Sequence, residues 1–513
     1  MSDHLLSIVL LSPFAGGFAI LLVPSSARGL LRGVAIASAI PPLVLSIVLL
    51  AGYDTASGGF QFVERYPLVP SLGIQYLLAV DGLSLSLVLL TAFIYLTGIT
   101  TTWYLGEREK EFFLFLALLV TGVFGVFLSL DLFLFFLFYE LAVLPMYVLI
   151  GVFGSSMEVP GRGPFGWTFG ALRVGIKEYG AMKLTLYLLA GSAFILVGLF
   201  LLWVESAELL PQATFDYLAL ETIGRDLPSE LATVMFLLFY LGFGILAGIW
   251  PFHTWSPDGH AAAPAAGSMM HAGVLMKLGA YGVLRVGFAL LPDAAAELAW
   301  FVGTVAVINI VYGAIAAGAQ TDIKYLIAYS SVSHMGIVML GLATLNEPGV
   351  AGAVFQMVAH GIMTGLLFTL VNMIYAKAHV RDMTKMGGFA GRQPGLATLF
   401  MLAGLSSLGL PGLAGFVAEF LVFLGAYTSA HRWWVFPAVI GAFITAIYVM
   451  RAMNRIFLGP PNPDFDKLED ARGMEWVTLV VLGGMLVVFG LYPRLLLDSI
   501  QGGVVEFLAR WGA

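Results

Sequence analysis

Runs of about 20 apolar residues recur along nearly the whole chain, and that recurrence constrains the fold more than any other feature. A helix of that length crosses the hydrocarbon core of a bilayer with its backbone amides satisfied internally. A closed β-barrel, the other spanning form, requires alternating segments of roughly 10 residues, and the sequence lacks that pattern. Composition agrees: 60% of the 513 residues are hydrophobic and 11% are charged, where a soluble chain carries about a quarter. The chain therefore reads as an all-α polytopic membrane protein, one integral domain over residues 1–513.

Fourteen spans are expected, at about 5–23, 33–51, 78–99, 111–129, 132–152, 181–203, 231–252, 261–290, 298–318, 325–345, 350–375, 396–428, 435–457 and 474–492. Span 7 breaks at Trp250-Pro251, span 8 carries Pro264 in its first turns, and span 12 breaks at Leu410-Pro411-Gly412. The main breaks lie five spans apart. Discontinuous helices at matching positions predict two inverted five-helix repeats, 111–290 (spans 4 to 8) and 298–457 (spans 9 to 13), with an ion path at each break.

Orientation follows from the basic residues rather than from the net charge of −7. Loops after odd-numbered spans hold Arg28, Arg32, Arg108, Lys110, Arg162, Arg173, Lys177, Lys324, Lys377, Arg381, Lys385, Arg392, Arg455, Lys467 and Arg472. Loops after even-numbered spans hold only Arg65, Arg225 and Arg432, and the 204–230 loop is acidic. Odd loops are thus expected in the cytoplasm and both termini on the outer side of a bacterial cytoplasmic membrane. The N-terminus lacks the basic region of a signal peptide and is expected to stay as the first span. The tail 494–511 is weakly amphipathic and suits an interface, and the Gly-rich 154–180 loop is expected on the cytoplasmic side.

A short list of ionisable residues remains inside the spans: Glu140, Lys183, His271, Lys277, His334, His360 and Glu419. An intramembrane charge is costly and by default functional. Acids, lysines and histidines on successive spans are what a proton relay requires, since each must take and release a proton. Lys183, Arg285 and Arg451 sit near span ends and equally fit snorkelling to headgroups, with both arginines fitting that better. Each histidine equally fits a simple interhelical hydrogen bond. Glu140, Lys277 and Glu419, near mid-depth, fit function. His253, Asp258 and His260 fall in a cytoplasmic bend, as an entry mouth or a capped turn. The chain has no cysteine, no HExxH, no phosphate-binding loop and no dinucleotide motif, so chemistry on a substrate has no evident seat here.

Three stretches resemble one family. PFHTWSPDGHAAAPAAGSMMHAGVLMKLGAYGVLR (251–285) is similar to the span 7–8 signature of the antiporter-like, proton-conducting subunits of respiratory complex I and its relatives. TDIKYLIAYSSVSHMG (321–336) resembles the span 10 signature, and FQMVAHG with HVRDMTKMGG follows in order. The resemblance covers roughly spans 4 to 13 and implies fourteen helices with inverted repeats. AGFVAEF places Glu419 where the L- and N-type members typically carry lysine, which resembles the M-type branch. By that resemblance Glu140, Lys183, Lys277, His334, His360 and Glu419 form the proton-translocation set, and the chain is a proton-translocating subunit of an NADH–quinone oxidoreductase. No cofactor is expected in this chain; flavin and Fe–S clusters would belong to partner subunits. The expected partners are L-type and N-type subunits and the lipid bilayer, with no nucleic acid. An equivalent subunit of a membrane-bound hydrogenase or F420H2-type dehydrogenase, a multisubunit Na+/H+ antiporter subunit, and a non-pumping scaffold are the alternatives.

One departure stands out. The family usually has lysine in span 7 where this chain has Leu246, and no charged residue occurs from Leu231 to Phe252. Without that cation Glu140 would either hold a proton or pair with Lys183, and the retained Lys183 favours the pairing.

Overall fold

A computed structural model describes residues 4–155, 176–509 and 511, so the expectation for most of the 154–180 loop lies outside the described residues. All fourteen apolar runs are helical. In chain order the helices are α1 (Leu5–Leu22), α2 (Arg28–Gly52), α3 (Gly82–Thr101), α4 (Glu109–Leu128), α5 (Leu132–Phe153) and α6 (Ile176–Leu209). The broken span 7 follows as α7 (Ser229–Ala247) and α8 (Trp255–Ala262), and span 8 as the segmented α9 (265–288). Then come α10 (Pro292–Gly318), α11 (Ile323–Ala343), α12 (Glu347–Ala378), α13 (Pro394–Ser407), α14 (Ala414–Thr428), α15 (Val435–Met453), α16 (Glu475–Leu491) and α17 (Arg494–Ala509). Among the described residues, eleven helices are long and apolar enough to cross a membrane, and twelve if the pair α16–α17, bent by 66°, is one span. The pieces of spans 8 and 12 are individually short because proline, glycine and π-helical turns interrupt them.

Burial sorts the helices into layers. The most apolar window of α12 is wholly buried, and those of α3 and α11 are nearly so, whereas α1, α2 and α15 keep most of their surface outward. A bundle whose central helices carry histidine, lysine and glutamine and whose rim is Phe, Leu and Val buries its polar groups in protein and presents hydrocarbon to lipid. Acidic caps start the central helices. Asp81 caps α3 in a reciprocal box with Ser84, and Asp131 and Asp322 accept backbone N–H groups at the starts of α5 and α11.

Two features depart from the sequence expectation. Residues 61–80, where no structure was expected before about 78, form an antiparallel hairpin of β1 (Gln61–Val69) and β2 (Ile74–Val80), with Arg65 opposite Leu77. Span 3 therefore starts at Gly82. The hairpin is fastened to the bundle end: Glu64 accepts from the Leu6 amide at 2.7 Å, and Arg65 pairs with Asp216 at 2.8 Å. The second departure is the bend of span 7. His253, Asp258 and His260 do not lie in a surface bend. His253 lies in the break, Asp258 and His260 on α8, and both histidines are buried. The break exposes backbone groups that Asn309 of α10 satisfies, accepting from the Trp250 amide at 2.8 Å and donating to the Gly248 carbonyl at 3.4 Å, while it also donates to the Val332 carbonyl of α11 at 2.9 Å.

The loops sort by parity. Arg32 pairs with Glu109 at 2.6 Å, Lys110 reaches the Val23 carbonyl at 3.0 Å, and Arg381 pairs with Asp322 at 2.6 Å, all among odd loops at one end. The hairpin, the 204–230 loop, the start of α1 and the C-terminal α17 gather at the other. There α17 packs on α3 and α12 through Leu496, Ile500, Val504 and Phe507, so its apolar face is spent on protein.

Candidate proton-conduction site

The path is built from α9 outward. Residues His271–Leu275 of α9 are π-helical, a geometry that shifts the carbonyl register. Lys277, fully buried two residues later, turns its ammonium back onto the Ala272 carbonyl and onto His360 Nδ1 of α12 at 2.6 Å. That approach requires Gly361, since a Cβ there would meet the Gly273 carbonyl oxygen at 2.6 Å.

From His360 the ring of His334 on α11 lies 5.3 Å away, centroid to centroid. His334 Nδ1 is 3.1 Å from Gln356 Nε2 and 3.4 Å from Glu419 Oε1, and its Nε2 is 3.1 Å from the Ser407 hydroxyl. Glu419 is buried on α14, just beyond the break of span 12. Gly409, at φ 74°, both turns the chain there and leaves room for the carboxylate: a Cβ would meet Glu419 Oε2 at 2.8 Å. Lys277, His360, His334 and Glu419, four of the six residues singled out in the sequence, thus form one chain across α9, α12, α11 and α14. The donors and acceptors are close enough for proton transfer directly or through single waters.

The other two stand apart from this chain. Glu140 lies mid-α5 with Ser192 of α6 in hydrogen-bonding reach, and its Oε1 has no partner among the described residues. Lys183 does not pair with Glu140. It pairs with Asp258 of α8 at 2.7 Å, and Asp258 also accepts from the Tyr325 hydroxyl at 3.0 Å. Lys183 and Ser192 are nine residues apart on α6, so the ammonium sits about 13 Å along the axis from the depth of Glu140. Leu246 is fully buried on α7, whose Gly242 and Ile245 pack against α6 at Gly191 and Ile195. The position that usually carries the family's lysine is therefore at Glu140's depth, and it is apolar here.

Arg285 does not snorkel. It is buried, pairs with Asp81 at the start of α3, donates from Nε to the Tyr281 hydroxyl oxygen at 3.0 Å, and lies 5.0 Å over the Phe60 ring. Arg451 keeps to its helix end, donating to the Gln320 carbonyl at 3.0 Å. Sequence reasoning missed Gln356 and Ser407, which hold the two faces of His334; uncharged polar residues inside apolar helices were the available signal. It also missed Lys324 and Arg381, which cap the Ala263 and Ala261 carbonyls at the end of α8 at 3.0 and 3.1 Å. Among the described residues no group of three or more His, Asp or Glu side chains could hold a metal ion. Outside the spans, burial pushes the Asp131 carboxyl up to about 6, against three backbone N–H donors that pull it down.

A bundle of apolar helices with two broken spans and an internal Lys–His–His–Glu chain defines an ion-conducting membrane subunit. The family described as NADH:quinone oxidoreductase/Mrp antiporter, TM, matches residues 175–445. NADH-quinone oxidoreductase subunit M of Rhodobacter capsulatus is 34% identical over 522 residues, covering 100% of this chain and 98% of that protein. NAD(P)H-quinone oxidoreductase chain 4 1 of Nostoc sp. is 35% identical over 514 residues, covering 98% of this chain and 91% of that one. A chain of respiratory complex I from Thermus thermophilus with bound NADH superposes with TM-score 0.86 at 26% identity over 100% of both chains. The fold, at TM-score 0.84 and 19% identity, is also that of a chain in the Mrp complex from Dietzia sp., covering 99% of this chain and 97% of that one. The chain belongs to the NADH:quinone oxidoreductase/Mrp antiporter membrane family. Within that family its full-length likeness is to subunit M.

Proposed function

We propose that protons cross this subunit along Lys277, His360, His334 and Glu419, with Glu140 and the Lys183–Asp258 pair as flanking charges whose state biases Lys277. The chain is a proton-translocating, multi-pass membrane-arm subunit of the NADH–quinone oxidoreductase type, as its relatives and its fold support. The observation that carries the route is the row of neighbouring groups from Lys277 Nζ, 2.6 Å from His360 Nδ1, through two histidine rings with centroids 5.3 Å apart, to Glu419 Oε1, 3.4 Å from His334 Nδ1. Redox energy released in partner subunits would move a charge against the end of this chain, and the low dielectric passes the shift along the row. Flavin and Fe–S clusters belong to those partners in this reading, since the chain has no cysteine to ligate a cluster.

The finer architecture is part of the same proposal. It comprises fourteen crossings, two inverted repeats at 111–290 and 298–457, L-type and N-type neighbours, and a bacterial cytoplasmic membrane with both termini outside; the basic residues gathered at one end support the orientation, and the matching breaks in spans 7 and 12 support the repeats. Pull-down of the tagged chain from native membrane in mild detergent, with NADH:quinone activity and iron assayed in the eluate, tests the assembly. An iron-rich, NADH-oxidising complex is expected; an eluate of small membrane proteins without iron would instead mark an antiporter. In vesicles holding the complex, Lys277→Met should abolish NADH-driven acidification, and full acidification would sink the route.

A further inference from the structure

At the basic end of the bundle, far from the Lys277–Glu419 row, two turns face each other across a cavity of about 190 Å³. One turn joins α1 to α2 and supplies Ser25 and Arg28; the other joins α3 to α4 and supplies Arg108, Glu109, Lys110 and Glu111. Contacts among these residues fix the walls. Lys110 donates to the Leu21 carbonyl at 2.6 Å and the Val23 carbonyl at 3.0 Å, which ties α4 to the end of α1. Arg32 holds Glu109 with two nitrogens, at 2.6 and 3.0 Å, and lies 5.4 Å over the Trp103 ring, which ties α2 to α4.

Charge inside this frame is left positive. Glu109 is buried and already engaged by Arg32, and Glu111 makes only an exposed contact with Arg108 at 3.5 Å, which is worth little. Lys110 spends its ammonium on backbone carbonyls and meets no acid. Arg28 and the Ser25 hydroxyl have no ion pair or hydrogen bond among the described residues. Orientation in a membrane accounts for basic residues at this end, but not for a walled cavity whose cations lack acids. An anion with several acceptor oxygens, such as a phosphate ester, matches these donors. The cavity also borders bare hydrocarbon. Leu22, next to the residue that Lys110 holds, is 86% exposed, more than any other large apolar side chain among the described residues. Phe18, one turn back on α1, and Leu30, two residues beyond Arg28, are exposed as well. A free phosphate would leave those side chains uncovered, whereas acyl chains attached to the phosphate would cover them.

We propose that this cavity binds the phosphodiester headgroup of an anionic phospholipid, with Arg28 and Arg108 on the phosphate, Ser25 and Lys110 beside it, and the acyl chains lying along the outward faces of α1 and α2. Anionic lipids are selected because a headgroup with its own ammonium would bring a further cation among Arg28, Arg108 and Lys110. The bound lipid joins the α1–α2 rim to α4 from outside, where Lys110 and the Arg32–Glu109 pair already join them within the protein.

The test uses the tagged full chain, purified in mild detergent with the assembly it belongs to and stripped of lipid. A phosphatidylglycerol probe with a photoreactive diazirine in one acyl chain is titrated in, and its crosslinks are mapped to peptides. Unlabelled dioleoyl phosphatidylglycerol, dioleoyl phosphatidylcholine and inorganic phosphate serve as competitors. Saturable crosslinks to α1 and α2 are expected, displaced by phosphatidylglycerol and by neither of the other two. Two basic contacts at a lipid surface together raise affinity about thirtyfold, so Arg28→Gln/Arg108→Gln should weaken the probe about tenfold or more. Arg28→Gln alone has no contact in the fold to lose and should weaken it about fivefold, which keeps the test decisive if the double variant does not assemble. Lys385→Gln/Lys467→Gln removes the same charge from the same end outside the cavity and should leave affinity within a factor of about two. Arg28→Gln binding the probe within a factor of about two of wild type overturns the proposal, as does an equal loss in the Lys385/Lys467 control, which would mean diffuse surface charge. Displacement by phosphatidylcholine as readily as by phosphatidylglycerol overturns the headgroup selection, and displacement by inorganic phosphate would make this a free-anion site and overturn the lipid.

Discussion

Asp81 and Arg285 offer the sharpest test of how this bundle treats a charge near the end of a span. Asp81 does two jobs. Its carboxylate accepts from the Leu83 and Ser84 amides at 3.1 and 2.9 Å as the cap of α3, and it pairs with Arg285 of α9, each side chain only 4% exposed. Losing a cap costs about 1 kcal/mol. Stripping one partner from a buried ion pair costs about 3–5 kcal/mol, because the other charge is left without compensation. Asp81→Ala should therefore destabilise by about 4–6 kcal/mol, whereas a snorkelling arginine would leave only the cap's 1 kcal/mol or so. Asp81→Asn separates the two terms: asparagine still caps, so the loss of about 3–5 kcal/mol belongs to the pair alone. The double variant Asp81→Asn/Arg285→Leu removes both charges and should recover most of the loss, since a buried pair is often replaceable by apolar packing. Equilibrium unfolding of the purified subunit by steric trapping in detergent or bicelles gives the four corners of the cycle. An Asp81→Asn cost under about 1 kcal/mol would refute the pair as a stabilising contact and return Arg285 to the headgroups.

Three further outcomes are expected. Gly361→Ala puts a methyl group where the Gly273 oxygen lies 2.6 Å away, so α9 and α12 must separate; NADH-driven acidification should fall about tenfold or more, and an unchanged rate would show that the Lys277–His360 contact is not needed. Leu246→Lys places an ammonium at the depth of Glu140, whose Oε1 has no partner among the described residues, so the complex should still assemble; adding Glu140→Gln should then cost about 3–5 kcal/mol more than Glu140→Gln costs alone, and additive effects would place the new lysine elsewhere. Asp131 titrates at about 6 when folded against 3.8 ordinarily, so the native state binds the extra proton between those values. Stability from this group is full below the lower value and lost as pH rises through the upper one, about 3 kcal/mol by pH 7. Asp131→Asn, which keeps the cap, should flatten the fall in thermal midpoint between pH 4 and 7; an unchanged slope would acquit the group.

The helical membrane fold, the breaks and the four buried residues that the structure brings into one row, Lys277, His360, His334 and Glu419, were legible in the sequence. Each rests on a strong local rule: a bilayer admits only long apolar helices, proline interrupts them, and a charge in mid-span is too costly to keep without use. The alternation of basic loops was legible for the same reason, and the structure gathers Arg32, Lys110 and Arg381 at one end of the bundle. The 61–80 hairpin was not, because Gln61–Val80 is short, carries two prolines, Pro67 and Pro70, in its first strand and turn, and borders an apolar run that continues into α3.

Pairing between residues distant in sequence was decided only by the tertiary structure. Lys183 and Glu140 looked like partners because each lacked another in sequence, yet α8 brings Asp258 to Lys183, while the rise along α6 keeps Glu140 a dozen ångströms away. Arg285 looked like a surface cation until α3 presented Asp81 to it. His260 and His271, separated by a proline turn, become a stack only because α8 and α9 fold back on each other at Pro264. Local chemistry says which residues bear a charge, since cost depends on depth and composition alone. Whom each charge faces depends on helix rotation, crossing and break angle, and these are set by packing across the whole bundle.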